Sequence, residues 1–178
     1  MTGSRSSDAK PLRRRTLAVA CALLVLCASP AGALKPGDRA PVFSAKALEG
    51  GASISLSQYR GKVVYLDFWA SWCAPCAAAL PALDALRQEF PEDQFRVLAV
   101  NVDRDPKLAR QFLARRPVGY PSASDPEGDL PARFEVETMP TSFLIDRQGV
   151  IRHVHRGFVR DDVDDLRRRI QQLVAEGR

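Results

Sequence analysis

Residues 62–68, KVVYLDF, are a nearly continuous apolar run, and no other stretch of this chain narrows the fold as much. A strand that alternates apolar and polar residues can keep one face in water, whereas a strand apolar at successive positions has to be covered on both faces. The residues that follow supply part of that cover. Leu80, Leu83, Leu86 and Phe90 recur at helical spacing within 73–90, with a kink expected where Pro81 removes a backbone donor. Residues 95–102, FRVLAVNV, read as a second buried strand. Strand, helix and strand then form a parallel unit with a right-handed crossover.

The flanking segments complete an α/β domain. Gly50-Gly51 divides two short alternating stretches, 42–47 and 52–56, which predicts an N-terminal hairpin. Residues 106–115 predict a helix capped by Asp105, with Leu108, Phe112 and Leu113 on one side. Residues 117–128, rich in Pro, Ser and Gly, predict a loop holding a short extended piece. A second hairpin is expected from 141–145 and 150–155 around 146–149. The closing helix, 161–174, turns Val163, Leu166, Ile170 and Leu173 inward and carries Asp161, Asp162, Asp164 and Asp165 near its start, where the helix dipole favours them. No internal repeat is visible.

The net charge of +5 suggests a nucleic-acid partner until it is split along the chain. Residues 1–33 hold five bases and one acid, and residues 34–178 hold 21 bases and 20 acids. A nearly neutral body removes the electrostatic case for binding DNA or RNA. The basic start belongs instead to a leader. Arg13-Arg14-Arg15 precedes a charge-free run from Thr16 to Leu34 that ends in Ser29-Pro30-Ala31-Gly32-Ala33, the pattern of a secretory signal peptide cleaved after Ala33. An uncleaved membrane anchor is the other reading, because the run is long enough to span a bilayer. Under either reading 1–33 is the leader, 34–178 is the working domain, and that domain is exported to an oxidising, periplasmic space.

Of four cysteines, Cys21 and Cys27 lie in the leader and only Cys73 and Cys76 in the body. Two cysteines three apart cannot staple distant parts of a fold. At a strand-to-helix junction they can do redox chemistry. Cys73 would sit at the helix start, where free N–H groups and the dipole lower a thiol's pKa below its ordinary value of about 8.5, and Cys76 one turn in. Cys73 is then the attacking sulfur and Cys76 the one that closes on the mixed disulfide. Pro75, early in the helix, costs no hydrogen bond. A zinc site needs about four ligands, and His153 and His155 are the only histidines of the body, so no metal is expected. Those two share a strand face and read as surface residues beside Arg152 and Arg156.

The string Asp67-Phe68-Trp69-Ala70-Ser71-Trp72-Cys73-Ala74-Pro75-Cys76 resembles the active-site signature of the thioredoxin superfamily, and Met139-Pro140-Thr141-Ser142-Phe143-Leu144-Ile145-Asp146 resembles its cis-proline strand. The leader, the N-terminal hairpin, the NVD at 101–103 and the FLID-x-x-G hairpin make the chain most similar to the periplasmic TlpA/ResA-like branch, over residues 36–178. The resemblance implies a thioredoxin-like fold: a central mixed sheet flanked by helices, with the extra N-terminal hairpin. It implies that Pro140 is the cis-proline and that the backbone of Met139 pairs with an extended peptide. It also implies that Asp67 is the buried carboxylate that takes the proton of Cys76; the alternative for Asp67 is a structural pairing with Lys62 or a backbone donor. Trp69 is expected in the core and Trp72 at the contact with a partner. Many members of the branch carry a glutamate three residues after the second cysteine, and here that residue is Ala79.

The expected function is that of an extracytoplasmic thiol–disulfide oxidoreductase with no cofactor. It would reduce exported cysteine proteins, cytochrome c precursors foremost, with electrons from a membrane thiol transporter. Two alternatives are a copper or metal chaperone using the same cysteines and a disulfide donor. A peroxide reductase fits less well, because the cysteine motif of such enzymes is not C-x-x-C.

Overall fold

In the computed structural model, residues 1–3 and 33–176 are described. The leader expected over 1–33 falls almost wholly outside them. The N-terminal hairpin is β1 (Ser44–Ala47) and β2 (Ser53–Ser55). The buried run is β3 (Val63–Trp69), followed by α1 (Ala74–Arg87), β4 (Phe95–Asn101) and α2 (Pro106–Arg115). Then come β5 (Ser122–Ser124), α3 (Asp129–Arg133), the hairpin β6 (Thr141–Ile145) and β7 (Ile151–Arg156), and α4 (Asp162–Glu176).

The seven strands form one sheet in the order β2-β1-β5-β4-β3-β6-β7. β3 pairs in parallel with β4, and β4 with β5, while the remaining pairings are antiparallel. The sheet is therefore mixed, with β3 in its interior and every residue of β3 buried. Successive side chains of β3 enter different layers, as the two-residue period of a strand demands. Val63, Tyr65 and Trp69 join Leu80, Leu83 and Leu86 of α1, Phe112 of α2 and Ile170 of α4. Val64, Leu66 and Phe68 join Phe43, Phe134 and Phe143 on the other side. There Phe134 stacks at 5.3 Å from both Phe68 and Phe143.

The register gathers the connections that matter at one end of the sheet. Trp69 lies beside Asn101, Phe68 beside Thr141, and Thr141 beside Arg156. The turn after β3, the loop after β4, the residues before β6 and those after β7 therefore adjoin one another.

Three expectations are corrected. Leu108 faces outward, 48% exposed, and Ala109 takes the inward position beside Phe112 and Leu113. His153 and His155 are half-buried rather than surface residues, and the His155 Nε2 lies 3.0 Å from the Asp162 carboxylate at the start of α4. The segment 129–133, given no element by the sequence, is α3. That helix ends in a Schellman turn, with the Val136 N–H on the Pro131 carbonyl (2.8 Å) and the Glu135 N–H on that of Ala132 (3.2 Å). Glu135 occupies the left-handed position, φ 53°, where glycine is free of the Cβ penalty. Its Oε2 is also buried without a hydrogen-bond partner. Glu135→Gly should raise stability by about 1 kcal/mol, read as a higher midpoint in thermal unfolding; a lower midpoint would show that the carboxylate is needed.

Candidate active site

Cys73 is the N-cap of α1. Its backbone is extended (φ −87°, ψ 107°), and its sulfur accepts the Cys76 N–H at 3.2 Å. Pro75 stands in the first turn, where no helix hydrogen bond is lost to it. Cys73 and Cys76 are joined as a disulfide with their Cα atoms 5.3 Å apart. Cys76 is wholly enclosed and Cys73 exposes 5% of its surface, so an attacking group reaches this disulfide at Cys73. The Cys73 N–H closes a turn on the Ala70 carbonyl (3.2 Å). That turn projects Trp72, 67% exposed, while Trp69 is buried with its indole N–H on Ser122 Oγ at 3.0 Å.

Asp67 sits on β3 with its side chain on the same side of the sheet as Tyr65 and Trp69, the layer that also contains Cys76. The Ser142 hydroxyl, on the neighbouring strand, donates to Asp67 Oδ1 at 2.6 Å, and Oδ2 is buried with no partner. Burial pushes the carboxyl up to about 7, against a smaller lowering by the Ser142 hydrogen bond. Two buried phenols sense its charge. Tyr65 and Tyr120 are raised first by burial and then by Asp67, and the Tyr120 hydroxyl bonds to the Leu80 carbonyl of α1. The Lys62 pairing is absent: its ammonium bonds to the Glu92 carbonyl at 3.1 Å.

The Met139–Pro140 peptide bond is cis. The Pro140 carbonyl accepts the Gly157 N–H at 2.8 Å, and Thr141 Oγ1 donates to the Thr138 carbonyl at 2.7 Å, which fixes the segment from both sides. Met139 is half-buried, and among the described residues neither its N–H nor its carbonyl has a hydrogen-bond partner. An unpaired backbone residue of this kind can accept an extended chain in strand fashion.

Sequence reasoning missed one residue of this end. Asp103 is buried, and both of its carboxylate oxygens accept the Ser71 N–H at 3.1 Å. Asn101 holds Asp103 in turn, donating its side-chain amide to Oδ2 (3.0 Å) and accepting the Asp103 N–H (3.1 Å). The loop after β4 thereby braces the turn that carries Trp72 and Cys73. The NVD motif was the available signal, read only as a mark of likeness.

The profile of the Redoxin family matches residues 35–170. The chain belongs to that family. Among curated Redoxin relatives, it is 37% identical over 127 residues to thioredoxin-like protein YneN of Bacillus subtilis (strain 168), which covers 70% of this chain and 73% of YneN. It is 32% identical over 142 residues to the thiol-disulfide oxidoreductase ResA of Geobacillus kaustophilus (strain HTA426), covering 79% of each. A solved structure described as a thiol:disulfide interchange protein DsbE, from Chlorobium tepidum, superposes with a TM-score of 0.76 at 40% identity, over 80% of this chain and 99% of that one. The thioredoxin-like fold and the ResA-like kinship are both borne out, and the chain is a thiol-disulfide oxidoreductase with Cys73 and Cys76 as its redox pair. Ala79, where many branch members carry glutamate, is buried in this Redoxin domain, so a carboxylate there would need a partner inside the core.

Proposed function

We propose that this protein is an extracytoplasmic disulfide reductase for exported cysteine proteins, with cytochrome c precursors as the favoured substrates and a membrane thiol transporter as electron donor. The observation that carries the reading is the Cys76 amide aimed at the Cys73 sulfur at the head of α1. An N–H directed at a sulfur favours thiolate over thiol, so in the reduced protein Cys73 is the nucleophile.

Cys73 thiolate attacks one sulfur of a substrate disulfide, forming Cys73–S–S–substrate and expelling the other substrate sulfur as a thiolate. Asp67 takes the proton of the Cys76 thiol, and Cys76 attacks the Cys73 sulfur. The intramolecular disulfide forms and the second substrate sulfur leaves, so two electrons have passed to the substrate. A dithiol donor reverses the exchange and restores the reduced pair. Met139 holds the incoming chain through its open backbone, Pro140 shapes that segment, and Trp72 and Pro75 form the exposed rim. The basic and apolar leader at 1–33 supports a periplasmic location, as a cleaved signal or as a membrane anchor facing the periplasm.

Direction follows from what surrounds the pair. Ala74-Pro75 between the cysteines and Ala77-Ala78-Ala79 after them carry no charge, so helix-end N–H groups are the main stabilisers of the thiolate. Strong oxidants, with potentials near about −120 mV, owe their power to a heavily stabilised reduced form. The Cys73–Cys76 couple, equilibrated with glutathione, should lie nearer the thioredoxin value of about −270 mV. A potential above about −160 mV would make the protein a disulfide donor instead.

A further inference from the structure

The bases of this molecule are partnered unevenly. On and around α4 they are neutralised at close range: Arg167 by Glu89 at 2.6 Å, Arg168 and Arg169 by Asp165, and Arg152 by Glu176. Arg87 and Arg96 likewise meet Asp84 and Glu92. Other bases, Arg39, Arg60 and Arg156 among them, also form no salt bridge with a described acid, but residues 104–116 concentrate such bases in one short stretch. They carry Arg104, Lys107, Arg110, Arg115 and Arg116, and none of these five forms a salt bridge with a described acid. The single acid, Asp105, is turned back to cap the Lys107 N–H at 3.0 Å. Thirteen residues therefore hold five bases against one acid, while the rest of 34–178 holds sixteen bases against nineteen acids. The net charge of these thirteen residues, +4, exceeds the +1 of residues 34–178 as a whole.

The position of this stretch gives its charge a use. Arg104 follows Asp103, whose carboxylate is bonded to Ser71 of the turn that presents Trp72 and Cys73. Arg104 itself is exposed just before the N-cap, and beyond it Lys107, Leu108, Gln111 and Arg115 recur at helical spacing along the exposed face of α2, opposite the buried Ala109, Phe112 and Leu113. Arg116 is drawn off over the Phe112 ring and Arg110 toward the Leu48 carbonyl, so they border the stripe. Leu108 is one of the few large apolar side chains left in solvent, as is Trp72 in the turn that Asp103 braces. A cationic strip with an apolar residue at its centre, starting beside the reactive disulfide, matches a chain of opposite charge that delivers a cysteine to Cys73.

We propose that the exposed face of α2 is a docking surface for redox partners, and that it selects those with an acidic segment beside the reacting cysteine. The proposal rests on the thiol–disulfide exchange described above and adds the recognition step. Complementary charge acts mainly on encounter, raising association rates tenfold to about a thousandfold at low salt, and is screened as the Debye length falls from about 10 Å at 0.1 M to about 3 Å at 1 M.

Three cysteine peptides of equal length, flanked by glutamates, serines or lysines, are compared as reductants of the oxidised full-length protein by stopped-flow tryptophan fluorescence. Dithiothreitol is the uncharged reference, and each peptide rate is divided by that peptide's own rate with a small uncharged disulfide. At low ionic strength the glutamate peptide should lead the lysine peptide by about tenfold or more, and the gap should close to about twofold in 1 M salt. Arg104→Glu/Lys107→Glu/Arg115→Glu should reverse the order and the corresponding Gln triple should level it, with the dithiothreitol rate unchanged in both. Equal peptide rates in the wild type, or an order that neither triple alters, overturns the docking surface. If the peptide rates are equal but phosphatidylglycerol vesicles sediment the wild type and not the Gln triple, the strip is a lipid contact and the proposal fails. A salt-sensitive dimer abolished by the Gln triple, again with equal peptide rates, assigns the strip to a second copy and is equally fatal. Failure of dithiothreitol to reduce the wild type would strike the exchange chemistry itself, a result separate from all of these.

Discussion

Cys76→Ser should accumulate mixed disulfides with partner proteins, and Cys73→Ser should accumulate none. The asymmetry comes from position. Cys73 holds the N-cap, accepts an amide hydrogen bond and carries the small exposed fraction of the pair, whereas Cys76 is enclosed. With Cys76 replaced, Cys73 still attacks, but no second thiol is near to release the partner, and a serine hydroxyl is too poor a nucleophile to do so. With Cys73 replaced, the remaining thiol is inside the layer formed by α1 and β3. Turnover with a protein disulfide should drop by on the order of a thousandfold in either variant, as expected when groups act as one unit. Only the Cys76 variant should give adducts on non-reducing gels that disappear with reductant. Comparable trapping by both variants would reassign the attacking sulfur.

Asp67→Asn should separate the two half-reactions and change the pH profile of stability. The carboxyl titrates near 7 in the folded protein against a reference value of 3.8, because burial disfavours its charged form. The folded state thus binds the proton more tightly than the unfolded chain. The associated stability is complete below about pH 4, declines as pH rises through about 7, and is constant beyond. Keeping the charge buried costs on the order of 4 kcal/mol at high pH. The amide is isosteric with the neutral acid, so denaturant unfolding should find the two proteins alike at pH 3, the variant firmer by about 1–2 kcal/mol at pH 5, and firmer by about 4 kcal/mol at pH 9. In kinetics the first attack by Cys73 should be nearly unaffected, while resolution of the mixed disulfide should slow roughly a hundredfold at pH 7, the low end of what a positioned base contributes. If resolution keeps its rate from pH 6 to 9, Asp67 is a structural acid tied to Ser142.

What the sequence disclosed depended on how local the cause was. β3, α1, β4 and α4 were legible because their apolar spacing is a property of a few consecutive residues. α2 was placed to the residue by Asp105 and Pro106, yet its face was misjudged: Leu108 stood out as hydrophobic, and Ala109, the residue that packs, did not. α3 has five residues and a proline, too short for any period to show. At the site the cysteines and the cis-proline came from motifs, but their supports did not. Ser142 reaches Asp67 across 75 residues of chain, and Asp103 reaches Ser71 across 32. Pairings at such separations are made by sheet register, which composition and periodicity do not encode.

That register also governs which changes of chain length this protein can tolerate. Tyr65, Asp67 and Trp69 point into the layer of the redox helix, and Leu66 and Phe68 into the layer of stacked phenylalanines. One residue inserted or deleted before Asp67 within β3 would exchange the two sets, driving a carboxylate among aromatic rings and a ring into the place of the proton acceptor. The exposed turn at 91–93, between α1 and β4, has no such parity to preserve, since it approaches the strand from solvent. Lineages of this domain can therefore drift in loop length while β3 changes only by substitution, because there the address of a side chain is odd or even and an insertion of one rewrites every address after it.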